Sequence, residues 1–133
     1  MTIAVSGLCP LLQVFDMLVS LRFYRDILGF SEVEKSGQGD SVDWAWLRHG
    51  SAELMLNTAY EGDQRPPFPD PSRAAGHADT CLYLGCDDLD AAYEHLSAHG
   101  VKASPPKVAP YGMRQLYVSD PDGYGLCFQH PVE

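Results

Sequence analysis

The sequence predicts an α+β protein in which two βαβββ modules form a mixed, cup-shaped sheet. Three observations support this prediction. The pattern of the first half of the chain returns in the second half, strand-like and helix-like apolar periodicities alternate within each half, and 133 residues suit one domain of common size. We therefore expect a single domain over residues 1–133, with module 1 at 1–60, a linker at 61–76 and module 2 at 77–133.

Both modules are predicted to have the same order of elements. Each begins with a short apolar strand, passes through an Asp cap into a helix with apolar residues at helical spacing, and ends that helix at a glycine. Three further strands follow, the last two as a hairpin. The expected strands are residues 11–15, 30–34, 44–47 and 54–56 in module 1 and residues 81–84, 101–103, 116–119 and 126–128 in module 2, with helices at 16–29 and 87–100.

The two modules match at a constant offset of 72 residues. Residues 44–47 correspond to 116–119 and residues 54–56 to 126–128, with a glycine-containing turn in between in both modules. A register kept through two strands and a turn favours duplication of one module. The alternative is that two amphipathic hairpins resemble one another by chance.

Strand alternation separates two faces in each predicted sheet. The apolar face is expected to form the core against the helices, and it consists of Leu12, Val14, Leu54, Leu56, Leu82, Leu84, Leu126 and Phe128. The opposite face mixes soft and hydrogen-bonding groups: Cys9, Leu11, Gln13, Glu53, Met55, Asn57, Cys81, Tyr83, Gly125, Cys127 and Gln129. Such a half-polar concave face is typical of a small-molecule pocket. It is also compatible with a solvated or dimer-buried sheet face.

Composition excludes several functions. A net charge of −9 disfavours nucleic acid and anionic membranes as partners, and the sequence contains no membrane-length apolar run and no secretory signal pattern. The four cysteines lack Cys-x-x-Cys spacing, so we expect reduced thiols in a cytoplasmic protein. The linker 61–76 is rich in proline and charge and has no periodic pattern, which predicts a surface loop that serves as a passive tether or a flap.

Two sets of residues carry a family resemblance. They are Asp16…Ser20…Phe23-Tyr24…Leu28-Gly29-Phe30 in module 1 and Tyr111-Gly112-Met113-Arg114 with Asp120-Pro121-Asp122-Gly123 in module 2. With these residues the chain resembles the vicinal oxygen chelate superfamily, which includes glyoxalase I, extradiol dioxygenases, fosfomycin resistance enzymes and bleomycin-binding resistance proteins. The second set is most similar to the bleomycin-resistance branch. The resemblance implies the glyoxalase/bleomycin resistance fold.

The resemblance also implies where a metal would be bound. Metal-dependent relatives place His, Gln or Glu at positions that fall here on Cys9, Met55, Cys81 and Cys127. Ions that catalyse oxygen chelation prefer imidazole, carboxylate and water, so we expect no metal and no cofactor of that kind. Convergence of three thiols and a thioether on a soft ion such as Cu(I) remains open as an alternative.

We predict that the chain is a homodimer that binds or sequesters a small organic molecule, such as an antibiotic, without metal. No catalytic residue is assigned. The expected ligand-binding residues are Gln13, Met55, Asn57, Tyr83, Tyr111, Arg114, Cys127 and Gln129. The alternative is a metal-dependent lyase, isomerase or dioxygenase of the same superfamily that draws on Glu53, His77 or His130.

Overall fold

The computed structural model describes residues 2–132, and the chain passes from one compact unit to a second between Arg65 and Pro66. Each unit contains one four-stranded sheet with parallel and antiparallel neighbours. Strand, helix and three further strands follow one another in both units. The predicted α+β class with two βαβββ modules is therefore confirmed.

The first unit forms a sheet in the order β1-β4-β3-β2, in which β1 lies parallel to β4 and the other neighbours are antiparallel. Its core face is the one that alternation predicts: Leu12, Val14, Leu54 and Leu56 are at most 3% exposed. The elements are β1 (Leu11–Val14), α1 (Met17–Leu21), a π-helical continuation (Arg22–Ile27), β2 (Ser31–Lys35), β3 (Trp44–His49), β4 (Ala52–Thr58) and a 3-10 turn (Gly62–Gln64).

The helical segment that α1 forms with its π-helical continuation begins and ends close to the residues that the sequence indicates. The Asp16 carboxylate accepts a hydrogen bond from the backbone N–H of Leu18 at 3.0 Å, which satisfies an unpaired donor of the first turn. Gly29 has a φ of 92°, and the next residue, Phe30, donates its N–H back to the carbonyl of Tyr24. Glycine ends the helix because other residues rarely adopt this left-handed conformation.

The second unit repeats this arrangement in the sheet order β5-β8-β7-β6, with β5 parallel to β8. Leu89 and Leu96 of its long helix are buried, as are Leu116 and Leu126 of the sheet, whereas the predicted core residue Phe128 is only half-buried. The elements are α2 (Pro71–Gly76), a 3-10 turn (His77–Asp79), β5 (Cys81–Gly85), α3 (Leu89–Ala98), β6 (Lys107–Val108), β7 (Met113–Ser119) and β8 (Gly125–Pro131).

The predicted offset of 72 residues fails in the second hairpin by one residue. Met55 of β4 lies opposite Trp46, but its counterpart Cys127 in β8 lies opposite Tyr117, where the constant offset predicts Val118. The reason is the turn, because two residues join β3 to β4 while five residues, 120–124, join β7 to β8. A shift of one residue in the pairing places each side chain of β7 on the face opposite the one that a strict copy of β3 would give.

The strand expected at residues 101–103 is also wrong. Ala103 makes only an isolated bridge to Val118, and the edge strand β6 begins at Lys107. Pro105 and Pro106 lie between them and have no backbone N–H to donate, so a regular ladder begins only after them.

The linker contains a helix that the sequence pattern does not predict. Helix α2 is capped by the Asp70 carboxylate, which accepts from the N–H of Ser72 at 3.0 Å. A helix of 6 residues is too short to show apolar periodicity, which explains the failed prediction of a loop without regular structure.

Helix α2 is anchored to the turn between β7 and β8. Arg73 donates to the buried Asp122 carboxylate at 2.9 Å, and the ring of His77 stacks on Tyr124 with centroids 3.9 Å apart. Gly123 in the same turn has a φ of +89°, and a Cβ at this position would collide with the backbone carbonyl of Ala74. This part of the linker is thus a packed element of the second unit.

We expect Gly123→Ala to lower the free energy of unfolding by more than about 1 kcal/mol, because alanine is strained at positive φ and its methyl group meets α2. Urea denaturation of both variants provides the measurement. Gly100→Ala is the matched control, since Gly100 also has positive φ but no atom lies within 4 Å of the position that a Cβ would take there. Equal losses in the two variants would show that the α2 contact contributes nothing.

Arg25 joins the helical segment of the first unit to the strand β2 and the loop after it. Its guanidinium pairs with Asp26 at 2.8 Å, with Glu32 at 2.6 Å and with both carboxylate oxygens of Asp40 at 2.8 and 3.0 Å. The hydrogen bonds from Arg25 lower the pKa of Asp40 from 3.8 to about 2. The paired, ionised carboxylate is therefore favoured in the folded state.

Because the pKa of Asp40 is lower in the folded protein than in the unfolded chain, its ionisation stabilises the fold. This stabilisation is fully present above the ordinary pKa of 3.8 and is lost as the pH falls to the folded-state pKa of about 2. We expect Asp40→Asn to melt below the wild type at pH 7, and the two melting curves to converge between about pH 4 and pH 2. Thermal denaturation across this range tests the expectation, with Asp87→Asn at an exposed position as control. A gap between wild type and Asp40→Asn that stays constant to about pH 2 would contradict it.

Candidate functional site

The predicted ligand-binding residues lie on two sheet faces, which are described separately. Gln13, Met55 and Asn57 belong to the face of the first unit that looks away from its core. Tyr83, Cys127 and Gln129 belong to the corresponding strands of the second unit. The remaining two have different surroundings: Tyr111 lies in the turn before β7, and Arg114 is the second residue of β7.

The face of the first unit is aromatic and charged. Met55 lies between Leu11 and Trp46 in the strand register, and the Asn57 amide donates to the Gln13 side chain at 3.4 Å. The Glu53 carboxylate accepts from the Trp46 indole at 2.9 Å and pairs with an arginine, Arg48, at 3.0 Å. Because it is already hydrogen-bonded twice, Glu53 is arranged as a structural ion pair rather than a free general base.

The face of the second unit carries a compact polar network. We call it the tyrosine–glutamine cluster, and it consists of Tyr83, Tyr111, Gln115, Tyr117, Cys127 and Gln129. The hydroxyls of Tyr111 and Tyr117 both donate to Gln115 Oε1, at 3.0 and 3.1 Å. Gln115 Nε2 in turn donates to Gln129 Oε1 at 2.9 Å. One buried amide therefore organises two phenols and a second amide.

Two ionisable groups of the cluster, Tyr117 and Cys127, are shifted toward their neutral forms. The pKa of Tyr117 is raised well above its usual value by a hydrogen bond with Tyr83, by desolvation and by the neighbouring Cys127. Burial raises the pKa of the Cys127 thiol. Near neutral pH Tyr117 and Cys127 thus present an uncharged phenol and an uncharged thiol, which suits binding more than nucleophilic chemistry.

An open groove of about 640 Å³ adjoins the cluster within the second unit. Three prolines, Pro105, Pro106 and Pro110, line it together with Val108, and Gln115 and Tyr117 supply its polar part. Its volume falls within the range of small-molecule sites, which are mostly apolar with a few placed polar groups. Tyr111, 67% exposed, stands at the same groove with its hydroxyl fixed on Gln115.

Gln115 was missed by sequence reasoning, although it lies at the centre of the cluster. No face was predicted for residues 116–119. Their match to residues 44–47 would give Leu116 and Val118 the positions of Trp44 and Trp46, and the longer turn reverses this. The apolar alternation of Leu116 and Val118, both buried, is the signal that identifies Gln115 and Tyr117 as the opposite face. Alternation within the strand was a better guide than correspondence between the modules.

Arg114, which was also predicted as a ligand-binding residue, does not belong to the tyrosine–glutamine cluster. It alternates with Gln115 along β7 and so lies on the helix side of the sheet. There its guanidinium makes a bidentate ion pair with the carboxylate of Asp90 in α3, at 2.8 and 3.2 Å. Those hydrogen bonds raise the pKa of Arg114 and lower that of Asp90.

The donor set at the family's metal positions does not fit a hard divalent ion. Cys9, Cys81 and Cys127 are free thiols whose pKa values are raised by burial, and the fourth position is the thioether of Met55. Across residues 2–132 no group of three His, Cys, Asp or Glu side chains is placed to hold a metal ion. Thiols and a thioether are poor ligands for Mg, Mn or Fe(II).

The histidines of the enzymatic alternative are engaged elsewhere. His77 Nδ1 lies 2.7 Å from the backbone oxygen of Asp122, and His130 Nδ1 lies 3.0 Å from that of Pro131. With Glu53 in its ion pair on the first unit, these three residues each have a local structural partner.

A second depression, of about 400 Å³, lies in the first unit. Its walls carry both charges: Asp16 and Asp63 are acidic, and Arg65 pairs with Asp16 at 3.3 Å while its guanidinium covers the Phe15 ring at 5.0 Å. The Arg65 guanidinium is therefore already engaged by the Asp16 carboxylate and the Phe15 ring, so it is poorly placed to bind a ligand.

The sequence model of the Glyoxalase/Bleomycin resistance protein/Dioxygenase superfamily matches residues 8–128. The chain belongs to this superfamily. Among curated proteins, it is 34% identical over 119 residues to Uncharacterized protein YaeR of Escherichia coli (strain K12), with 84% of each chain covered.

Solved structures share the fold. TnmS3, an antibiotic-binding protein from Streptomyces sp. CB03234, is 26% identical with a TM-score of 0.69, over 98% of this chain and 99% of that one. TioX from Micromonospora sp. ML1 is 17% identical with a TM-score of 0.71, over 95% and 100% of the two chains, and its likeness concerns the fold alone. No helix in residues 2–132 has the length and apolar character that crossing a membrane requires.

Proposed function

We propose that this protein binds a small organic molecule, an antibiotic or a similar compound, in the groove beside the tyrosine–glutamine cluster, and holds it without metal chemistry. One observation carries the proposal: an apolar groove of about 640 Å³ ends at a fixed set of phenol and amide groups. The groove contributes buried apolar area, and the cluster contributes orientation.

The groove is suited to a flat ligand. Prolines and tyrosines present rigid surfaces that lose little side-chain entropy when a ring packs on them. The phenols are held by Gln115 before any ligand arrives, so little ordering remains to be done on binding. These features support recognition of an aromatic or otherwise planar molecule.

The relatives support the same proposal. TnmS3 is described as an antibiotic-binding protein, and its fold covers nearly the whole of this chain. The soft, neutral donors at Cys9, Met55, Cys81 and Cys127 support sequestration over the metal-dependent reactions known in the superfamily. A net charge of −9 favours a cationic ligand such as bleomycin through long-range attraction.

We expect isothermal titration calorimetry to detect binding of bleomycin or doxorubicin, two cationic antibiotics with planar rings, to protein treated with a chelator. Tyr117→Ala removes a groove wall and a hydrogen-bonding group, so it should weaken that binding at least about tenfold. Arg114→Gln is the matched control from the same strand and should change the dissociation constant less than about twofold, because its side chain lies on the helix side.

Equal loss of affinity in Tyr117→Ala and Arg114→Gln would contradict the location of the site. Binding that disappears on chelation and returns with a divalent ion would contradict the metal-free part of the proposal. Failure of both antibiotics to bind the wild type would count against these ligands and against the cationic preference.

A homodimer in the cytoplasm belongs to the same proposal. The segment before the edge strand β1 leaves Ile3, Val5 and Leu8 between 77% and 88% exposed, and a partner copy would cover such apolar groups. The four free thiols suit a reducing compartment.

For the dimer, light scattering should give a mass of about twice 14.6 kDa at micromolar concentration. A monomer mass at every concentration up to about 100 μM would contradict the dimer.

A further inference from the structure

The direction of the hydrogen bonds in the tyrosine–glutamine cluster determines what it offers to a ligand. A phenol has one proton to donate and lone pairs that accept. The protons of Tyr111 and Tyr117 are both directed at Gln115 Oε1, which can only accept. Each of the two phenols has then used its proton. The Tyr117 oxygen also shares a hydrogen bond with Tyr83, and toward a ligand the remaining lone pairs of the two phenol oxygens can only accept.

The rest of the network holds the cluster in this state. Gln115 Nε2 donates to Gln129 Oε1 at 2.9 Å, so rotating the Gln115 amide alone to present its N–H groups to the phenols would break that bond. Gln115 is only 5% exposed, and an unsatisfied amide at this depth is costly. Tyrosine is an uncharged phenol near neutral pH, and the raised pKa of Tyr117 keeps it so at higher pH as well.

A positive charge lies in the same wall of the groove. Lys107 of β6 is paired with Gln115 in the sheet register, so its side chain leaves the sheet on the same face. The lysine also lines the groove. Lys107 would repel an ammonium group at this wall, so a cationic ligand would place its charge elsewhere and turn an uncharged hydroxyl or amide N–H toward the phenol oxygens.

We infer that the groove selects planar aromatic molecules that carry an uncharged O–H or N–H donor, and that Tyr111 and Tyr117 determine this specificity by accepting from it. The inference rests on the proposed function and adds the ligand class to it. Apolar walls at Pro105, Pro106 and Val108 receive the ring, and the acceptor pair fixes the donor at its edge.

The test uses two probes of nearly the same shape. 2-Naphthol carries a hydroxyl donor, whereas 2-methoxynaphthalene has the same ring and an oxygen that can only accept. Equilibrium dialysis with the full chain should show that naphthol binds about five- to tenfold more tightly, since a hydrogen bond contributes at this level. In the Tyr111→Phe/Tyr117→Phe double variant the preference should fall below about twofold, while the ring still binds.

The outcomes separate the inference from the proposed function. Equal binding of the two probes to the wild type, or tighter binding of the methoxy compound, overturns the donor preference while leaving groove binding intact. A preference that survives in the double variant overturns the role of the two phenols. If neither probe binds, and Tyr117→Ala also leaves antibiotic binding unchanged, both the inference and the groove itself are wrong. Arg114→Gln should keep the full preference for naphthol.

Discussion

The buried side-chain amide of Gln115 holds the polar face of the second unit in one arrangement. Its oxygen accepts from two phenols and its nitrogen donates to Gln129, so a single residue sets the direction of the hydrogen bonds around it. A fully satisfied network of this kind is rigid, because any rotation leaves a buried polar atom without a partner. The groove is therefore bordered by the tyrosine–glutamine cluster, whose hydrogen-bond donors and acceptors are already paired in a fixed direction.

The position of Gln115 follows from a turn far along the strand. Five residues join β7 to β8 where two join β3 to β4, and the extra length shifts the pairing by one residue. The Asp120 carboxylate shapes this longer turn by accepting from the N–H groups of Asp122 and Tyr124, and Arg73 of α2 pairs with Asp122. In this way the linker helix, the turn and the ligand face of the second unit depend on one another.

Much of the fold could be predicted from the sequence, since it depends on short-range signals. Asp16 and Asp88 cap the helices, Gly29 ends the first one, and alternation in β1 and β4 identifies the buried face. The candidate site was harder to predict from the sequence. The difference in turn length shifts the pairing of β7 by one residue, and only the paired structure reveals it. Arg114 was predicted as a ligand-binding residue because it stands near Tyr111, and its ion pair with Asp90 could not be read from the sequence. Helix α2 was missed because its stability comes from contacts with a turn distant in sequence.

Family membership establishes the fold, and the side chains of this particular chain carry the functional argument. The central claim is that the tyrosine–glutamine cluster and its groove bind a small molecule. The most direct test of this claim is an NMR titration with the tightest-binding antibiotic, which follows the chemical shifts of backbone and side-chain amides. We expect saturable shifts at the Gln115 and Gln129 side-chain amides and at the backbone of Val108 and Tyr117. Saturable shifts that avoid these four residues and gather around Trp46 and Met55 of the first unit would contradict the claim.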